Sequence, residues 1–276
     1  MIDLSGEADL RPLSEIVAAL RDACGVDFLL VGATARDVVL RGHGISPACV
    51  TNDVDFAFAV RDWDEFDRTR ERLVQSGRFV QDRDSHRMTF KGIPADLIPF
   101  GSIEDPSRRV TWPPEAAVMN VLGFEEADRT AQRVLLPDGV QIRVPQVACL
   151  LVMKLAAWGD RKRDKDATDI QLLAWHYGDI SQERLFGEEM PTYSELGFDM
   201  ALAGARLLGR DARRALEGPK SRESVPALEA ILGPEVDLNG QLRLATKMSS
   251  MSFNVDPSRR LLAEILSGLR QAQAVG

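Results

Sequence analysis

The chain has 276 residues, a formal net charge of −8 and an apolar fraction of 45%. That length suits one large domain or two small ones, and the apolar share predicts a real core. The acidic balance argues against a surface coated for non-specific nucleic-acid binding, though not against a local basic patch. Three scattered cysteines, Cys24, Cys49 and Cys149, build neither a disulfide framework nor a zinc spacing, which fits a reducing cytosol. The first residues carry Asp3, Glu7 and Asp9 with no basic segment leading into an apolar run, so no signal peptide is expected. No stretch of about 18 apolar residues occurs, so no membrane span is expected; with the cysteine usage, the expected location is cytoplasmic.

Leu13, Ile16, Val17, Leu20 and Ala23 recur at helical spacing and predict a helix over 12–24. Phe28-Leu29-Leu30-Val31 reads as a short buried strand that ends at Gly32. A helical pattern, Ala33 to Leu40, opens directly after the glycine. Strand, glycine turn and helix N-terminus together make a natural anion site, because free backbone N–H groups and the helix dipole point at the turn. The Thr34 hydroxyl would add a donor. A plain strand-to-helix connection is the alternative. Arg41 to Asn52, with Gly42, His43, Gly44 and Pro47, reads as a loop: a connector, or a flap over a site.

The next stretch, Asp53-Val54-Asp55-Phe56-Ala57-Phe58-Ala59-Val60, alternates without a fault. Val54, Phe56, Phe58 and Val60 share one strand face and call for a core. Asp53 and Asp55 share the other, so two like charges point the same way. A divalent cation resolves that repulsion, since hard cations take carboxylate oxygens; the plainer reading is an Asp-marked turn before an edge strand. A helix from about Arg61 to Ser76 follows, then strands at Phe79-Val80, Arg87 to Phe90 and Ala95 to Phe100. The last carries Asp96 among apolar neighbours, where a carboxylate needs a partner. If this strand lies beside the Asp53 strand, Asp96 joins the pair; otherwise it caps a turn.

Trp112-Pro113-Pro114 breaks regular structure, and Glu115 to Met119 reads as a short helix. Val134 to Leu136 and Val140 to Val144 flank Asp138-Gly139, a pair suited to a type I′ turn. Pro145 opens an apolar helix interrupted by Lys154, which either snorkels to water or faces a charged partner. If that helix runs on, Lys154, Trp158, Arg161 and Lys165 line one side. Asp166 and Asp169 are three apart and face together; a solvated charged face is the usual meaning of such a run. Candidate helices cover 194–217, 225–232, 239–252 and 258–273. Between Gly204 and Arg222, six basic residues (Arg206, Arg210, Arg213, Arg214, Lys220 and Arg222) stand against two acidic ones, which suits a phosphate backbone or a solvated helix face.

The order of these pieces resembles the nucleotidyltransferase fold superfamily, and within it the AbiEii/AbiGii-like toxin nucleotidyltransferases. The segments that carry the resemblance are Phe28 to Asp37, Thr51 to Val60, Ala95 to Phe100 and Lys154 to Ile170 (KLAAWGDRKRDKDATDI), within residues 28–170. The lysine, arginine and Asp-x-x-Asp of the last segment are the part most specific to that family; the three-aspartate pattern belongs to the superfamily. Two departures stand out. Gly32-Ala33 replaces the usual Gly-Gly or Gly-Ser, and the spacing from Gly32 to Asp53 is long. Val31 to Asp37 is also similar to CCA-adding enzymes and bacterial poly(A) polymerases, whose later arginine-rich motifs are missing here.

The resemblance implies an α/β (α+β) fold: a nucleotidyltransferase-type mixed sheet with flanking helices as a catalytic core over 1–145, then a mainly helical region over 146–276. It implies an enzyme using two Mg²⁺ ions, or Mn²⁺, to transfer NMP from an NTP to an acceptor. Asp53 and Asp55 would bridge the ions, and Asp96 would hold the metal that activates the attacking hydroxyl. Gly32, Ala33 and Thr34 would cradle phosphates, with Arg36 pairing a phosphate or facing solvent. Lys154 would be a point charge on the triphosphate, and Arg161, Asp166 and Asp169 would complete the site, with Asp166 or Asp169 orienting Lys154, holding a metal or contacting the base. The family analogy suggests the 3′ end of an RNA such as tRNA as acceptor, and a toxin neutralised by an antitoxin protein. Alternatives are a small-molecule (aminoglycoside-like) or protein acceptor, or a nucleotide-binding regulator without turnover.

Overall fold

The computed structural model describes residues 1–46, 53–84, 86–114, 116–233, 244–249 and 256–271. The fold is mixed α/β, and the chain divides into two compact units, Met1–Gln146 and Val147–Gly276. The expected loop from Arg41 begins as the end of a helix and a turn; its remainder, 47–52, lies outside the described residues.

The first unit is built on a mixed sheet of eight strands in the order β1-β9-β10-β2-β3-β6-β5-β4. In chain order the strands are β1 (Ile2–Asp3), β2 (Leu29–Val31), β3 (Val54–Val60), β4 (Phe79–Gln81), β5 (Arg87–Phe90), β6 (Ile93–Gly101), β9 (Gln132–Leu135) and β10 (Gln141–Val144). Its longer helices are α1 (Arg11–Cys24), α2 (Gly32–Gly42) and α3 (Trp63–Gln75), with the short α4 (Phe124–Thr130). The alternation in β3 does what its pattern requires. Val54, Phe56, Phe58 and Val60 are all buried, and Phe58 stacks on Phe66 of α3 at 5.7 Å and meets Phe28 edge-on at 5.0 Å. Asp62 starts α3 by accepting the Glu65 N–H, an N-cap that satisfies one of the orphan donors of the first turn.

One expectation for this unit changes. Residues 117–120 form a strand, β8 (Ala117–Asn120), which pairs antiparallel with β7 (Arg109–Trp112). The helix expected from Glu115 is therefore absent from 117–120, and Glu115 itself lies outside the described residues. The physical reason is that tertiary pairing with Arg109–Trp112 overrides a weak local helical preference. The hairpin of β9 and β10 holds, with Asp138 and Gly139 both at positive φ (60° and 75°) as a type I′ turn demands.

The second unit contains α5 (Val147–Arg161), α6 (Asp164–Ile180), α7 (Gln182–Phe186), α8 (Met190–Glu195), α9 (Met200–Ala215), α10 (Pro219–Arg222) and α11 (Val225–Leu232). Residues 244–248 are helical (α12), and α13 spans Asp256–Arg270. The run expected to continue as one helix breaks after Arg161: Lys162 adopts φ 51°, and Asp164 begins a new helix. Lys165 thus does not continue the Lys154 stripe. The helix expected over 194–217 is likewise divided, because Gly197 and Phe198 both take positive φ between α8 and α9. Of the helix expected over 239–252, residues 239–243 and 250–252 lie outside the described residues, as do the last two of 258–273. The α9–α13 crossing is close because glycines form it. A Cβ on Gly268 would stand 2.0 Å from the Arg206 carbonyl oxygen, and one on Gly209 would stand 2.1 Å from that of Ile265.

Candidate active site

The centre of the sheet brings the aspartates of the first unit into one transverse row. β2 and β3 pair antiparallel with Val31 opposite Asp55; β3 and β6 pair parallel with Asp55 opposite Asp96; β6 and β5 pair antiparallel with Asp96 opposite Arg87. Register partners project on the same face of a sheet. Asp55, Asp96 and Arg87 therefore share that face, and Asp53 joins it two residues before Asp55. The condition set by the sequence, that the Asp96 strand lie beside the Asp53 strand, is met.

Gly32 closes the end of this row. Its φ is +71°, a conformation costly for any residue with a side chain. A Cβ there would stand 1.9 Å from Asp55 Oδ2 and 2.9 Å from its Cγ, so the carboxylate lies against the bare glycine backbone. Thr34 Oγ1 donates to the carbonyl oxygen of Asp53 at 3.2 Å, which fastens the first turn of α2 to the residue that opens β3. Ala33 stands beside it in that first turn. Arg36 is not the solvent-facing helical arginine of one expectation: it is only 2% exposed, and its Nε donates to Asp37 Oδ1 at 2.7 Å. The reason is that its face of α2 is the packed one, where an arginine needs an ion partner.

Arg87 is the functional candidate that sequence reasoning missed. Its Nε and Nη2 donate to the two oxygens of Asp96, each at 2.7 Å, and Nη2 lies 3.9 Å from Asp53 Oδ2. The hydrogen bonds to Asp96 hold the guanidinium above the ordinary arginine range, against the opposing effect of burial. The signal was present in the hairpin: Lys91 and Gly92, both at positive φ, form a two-residue turn between Phe90 and Ile93. That turn sets Arg87 opposite Asp96.

The expected metal ligands suit a hard cation in their chemistry, since all three offer carboxylate oxygen. One observation supports that fit: a cation, the Arg87 guanidinium, already stands against Asp53 and Asp96. Among the described residues, however, no group of three or more His, Cys, Asp or Glu side chains is gathered closely enough to hold a metal. No protein-family model matches this chain, and no curated protein matches it. The geometry of the site is therefore what bears on its chemistry.

The second unit brings together Lys154, Arg161, Asp166 and Asp169. Lys154 Nζ is 2.5 Å from Asp169 Oδ2 and 3.6 Å from Asp166 Oδ1, while Arg161 donates to both Asp166 oxygens at 2.7 Å. Lys154, Asp166 and Asp169 are 7%, 0% and 2% exposed, so this is neither a snorkelling lysine nor a solvated charged face. The break at Lys162 explains the arrangement: it turns α6 back so that its aspartates meet the cations of α5. Lys154, Asp166 and Asp169 are thereby paired out of water, as burial requires, while Arg161, 37% exposed at its side chain, closes the pair from the solvent side. The basic run of α9 is also paired in large part. Arg206 meets Glu195 and Glu264, Arg210 meets Glu189, and Arg214 meets Asp211. Those three arginines are engaged with carboxylates of their own unit, which does not favour a face built to track a phosphate backbone. Among the described residues no helix is long and apolar enough to cross a membrane.

Proposed function

We propose that this chain is a nucleotidyltransferase that moves a nucleoside monophosphate from an NTP to a hydroxyl acceptor and releases pyrophosphate. The observation that carries the reading is the row of Asp55 and Asp96 across adjacent parallel strands, with Asp53 on the same face and the Gly32 turn at its end. On this reading the fold is of the nucleotidyltransferase type. Asp53, Asp55 and Asp96 would hold divalent cations, Mg²⁺ or Mn²⁺, and when bound these would supply charge stabilisation at the phosphorus under attack. Asp96, 13% exposed at its side chain, would orient the attacking hydroxyl and accept its proton. Backbone N–H groups at the start of α2, from Gly32 to Thr34, would hold phosphate oxygens of the nucleotide. Thr34, already bonded to the Asp53 carbonyl, would fix the distance between the phosphate turn and the aspartates.

A role for Lys154 as a positive charge for the triphosphate follows from the family resemblance alone; within its own unit Asp169 holds the ammonium, and Arg161 and Asp166 support that pair. Arg36, buried on Asp37, would support the helix that carries the phosphate turn. The acceptor proposed is the 3′ hydroxyl of an RNA such as tRNA, and a toxin role with a neutralising antitoxin partner follows from the family resemblance alone. The test is incubation of the full chain with Mg²⁺, each α-labelled NTP and total RNA, resolved on a denaturing gel, beside Asp55→Asn. Label in a discrete RNA band that the variant lacks supports the proposal. Label on no RNA, on the protein or on a small molecule removes the RNA acceptor, and no transfer of any kind removes the enzyme reading.

A further inference from the structure

We infer that Arg87 is the built-in counter-cation of this carboxylate row, and that a divalent cation enters by displacing its guanidinium from Asp96. The inference rests on the proposed reading of the aspartates as cation ligands. It begins from a conflict in the geometry. Both Asp96 oxygens are committed to Arg87 at 2.7 Å, and the same guanidinium reaches to 3.9 Å from Asp53. A metal at Asp96 would compete for the two oxygens that now accept N–H groups, and it would bring a second positive charge against the first. Arg87 and the metal therefore compete for Asp96.

The surroundings allow an exchange. The Arg87 side chain is 32% exposed and that of Asp53 37%, so the guanidinium has a route to water. Asp96, at 13%, is too buried to be left without a cation at low cost. One cation replacing another keeps Asp96 paired at each stage. The β5–β6 register holds the Arg87 backbone opposite Asp96, so the displaced guanidinium stays within a side-chain length and returns when the metal leaves.

The test is calorimetric titration of Mn²⁺ into the full chain without nucleotide, comparing wild type, Arg87→Lys and Arg87→Met. The methionine variant keeps the aliphatic stem and loses the charge. It is expected to bind Mn²⁺ about tenfold more tightly than wild type, about 1.4 kcal/mol, with the lysine variant between them. Adding Asp96→Asn to Arg87→Met should abolish the gain. Equal or weaker binding by Arg87→Met overturns the inference while leaving the cation-ligand reading standing; binding by neither protein overturns both. Should Arg87→Met fail to fold, wild type carries the test through the nitrogen NMR signal of Arg87 Nε during a Mg²⁺ titration. The expected result is a shift and faster solvent exchange as the metal saturates, and an unmoved signal at saturation overturns the inference.

Discussion

Replacing Gly32 with alanine tests the packing of the aspartate row most sharply. Two costs arise from one methyl group. At φ +71° a residue with a Cβ pays about 1–2 kcal/mol. The new Cβ also stands 1.9 Å from Asp55 Oδ2, 2.9 Å from Cγ and 3.1 Å from the Asp55 Cβ. The carboxylate oxygen is the far end of a side chain and will rotate away, whereas the Asp55 Cβ moves only with its strand. Most of the clash is therefore relieved by turning Asp55 out of the row, and the stability loss stays near the backbone term. Gly32→Ala is expected to lower the melting temperature by roughly 2–8 °C, taking about 2–4 °C per kcal/mol. It should also weaken divalent-cation binding well beyond what that modest loss of stability would suggest. Thermal unfolding with a parallel Mn²⁺ titration reads both. A variant that melts like wild type would refute the positive φ of Gly32. A destabilised variant with undiminished cation binding would refute the role given to Asp55.

Asp169→Asn removes the 2.5 Å partner of a lysine that is 7% exposed, and is expected to cost the chain about 3 kcal/mol or more in urea unfolding. Replacing Lys154 with methionine and Asp169 with leucine together should recover part of that loss, because an apolar pair needs no charge balance. Arg108 stands between Glu104 at 2.6 Å and Glu126 at 3.0 Å with its side chain only 2% exposed. Arg108→Met, which leaves two buried carboxylates without that partner, is expected to destabilise by about 3–5 kcal/mol in the same assay. Burial pushes the Cys24 thiol from 9.0 up to about 11, and the thiol lies 3.6 Å from the Thr69 carbonyl oxygen. Peptide-mapped alkylation at pH 8 should therefore be far slower at Cys24 in the folded than in the unfolded chain. Because the folded value is the higher one, the neutral thiol's contribution to stability is complete below pH 9 and is lost as pH rises toward 11.

The parts of the fold that were legible in the sequence are those governed by local pattern. The alternation of Asp53 to Val60, the apolar helical spacing of α1 and the Asp138-Gly139 turn each follow from a few neighbouring residues, and each appears in the structure. What sequence reasoning lost depends on distant pairing or on a single backbone angle. Residues 117–120 are a strand because Arg109–Trp112 lie beside them. Lys162 ends α5 with one positive φ that its neighbours do not announce, and that break converts an expected solvent face into a buried ion cluster. In the candidate site the residue types were readable and their pairing was not. Asp96 was expected to need a partner, and two lay within reach: the Asp53–Asp55 strand and Arg87. The structure gives it both, the first by register and the second by hydrogen bonds.

The central claim, transfer of a nucleotide rather than of a phosphate, is tested most directly by supplying one NTP in two labelled forms. The full chain is incubated with Mg²⁺ and acceptor, with the label on the α-phosphate in one reaction and on the γ-phosphate in the other. The account predicts that α-label passes to the acceptor while γ-label leaves as pyrophosphate, and that Asp53→Ala abolishes both. Label passing to the acceptor from the γ-position, or transfer undiminished in Asp53→Ala, would contradict it.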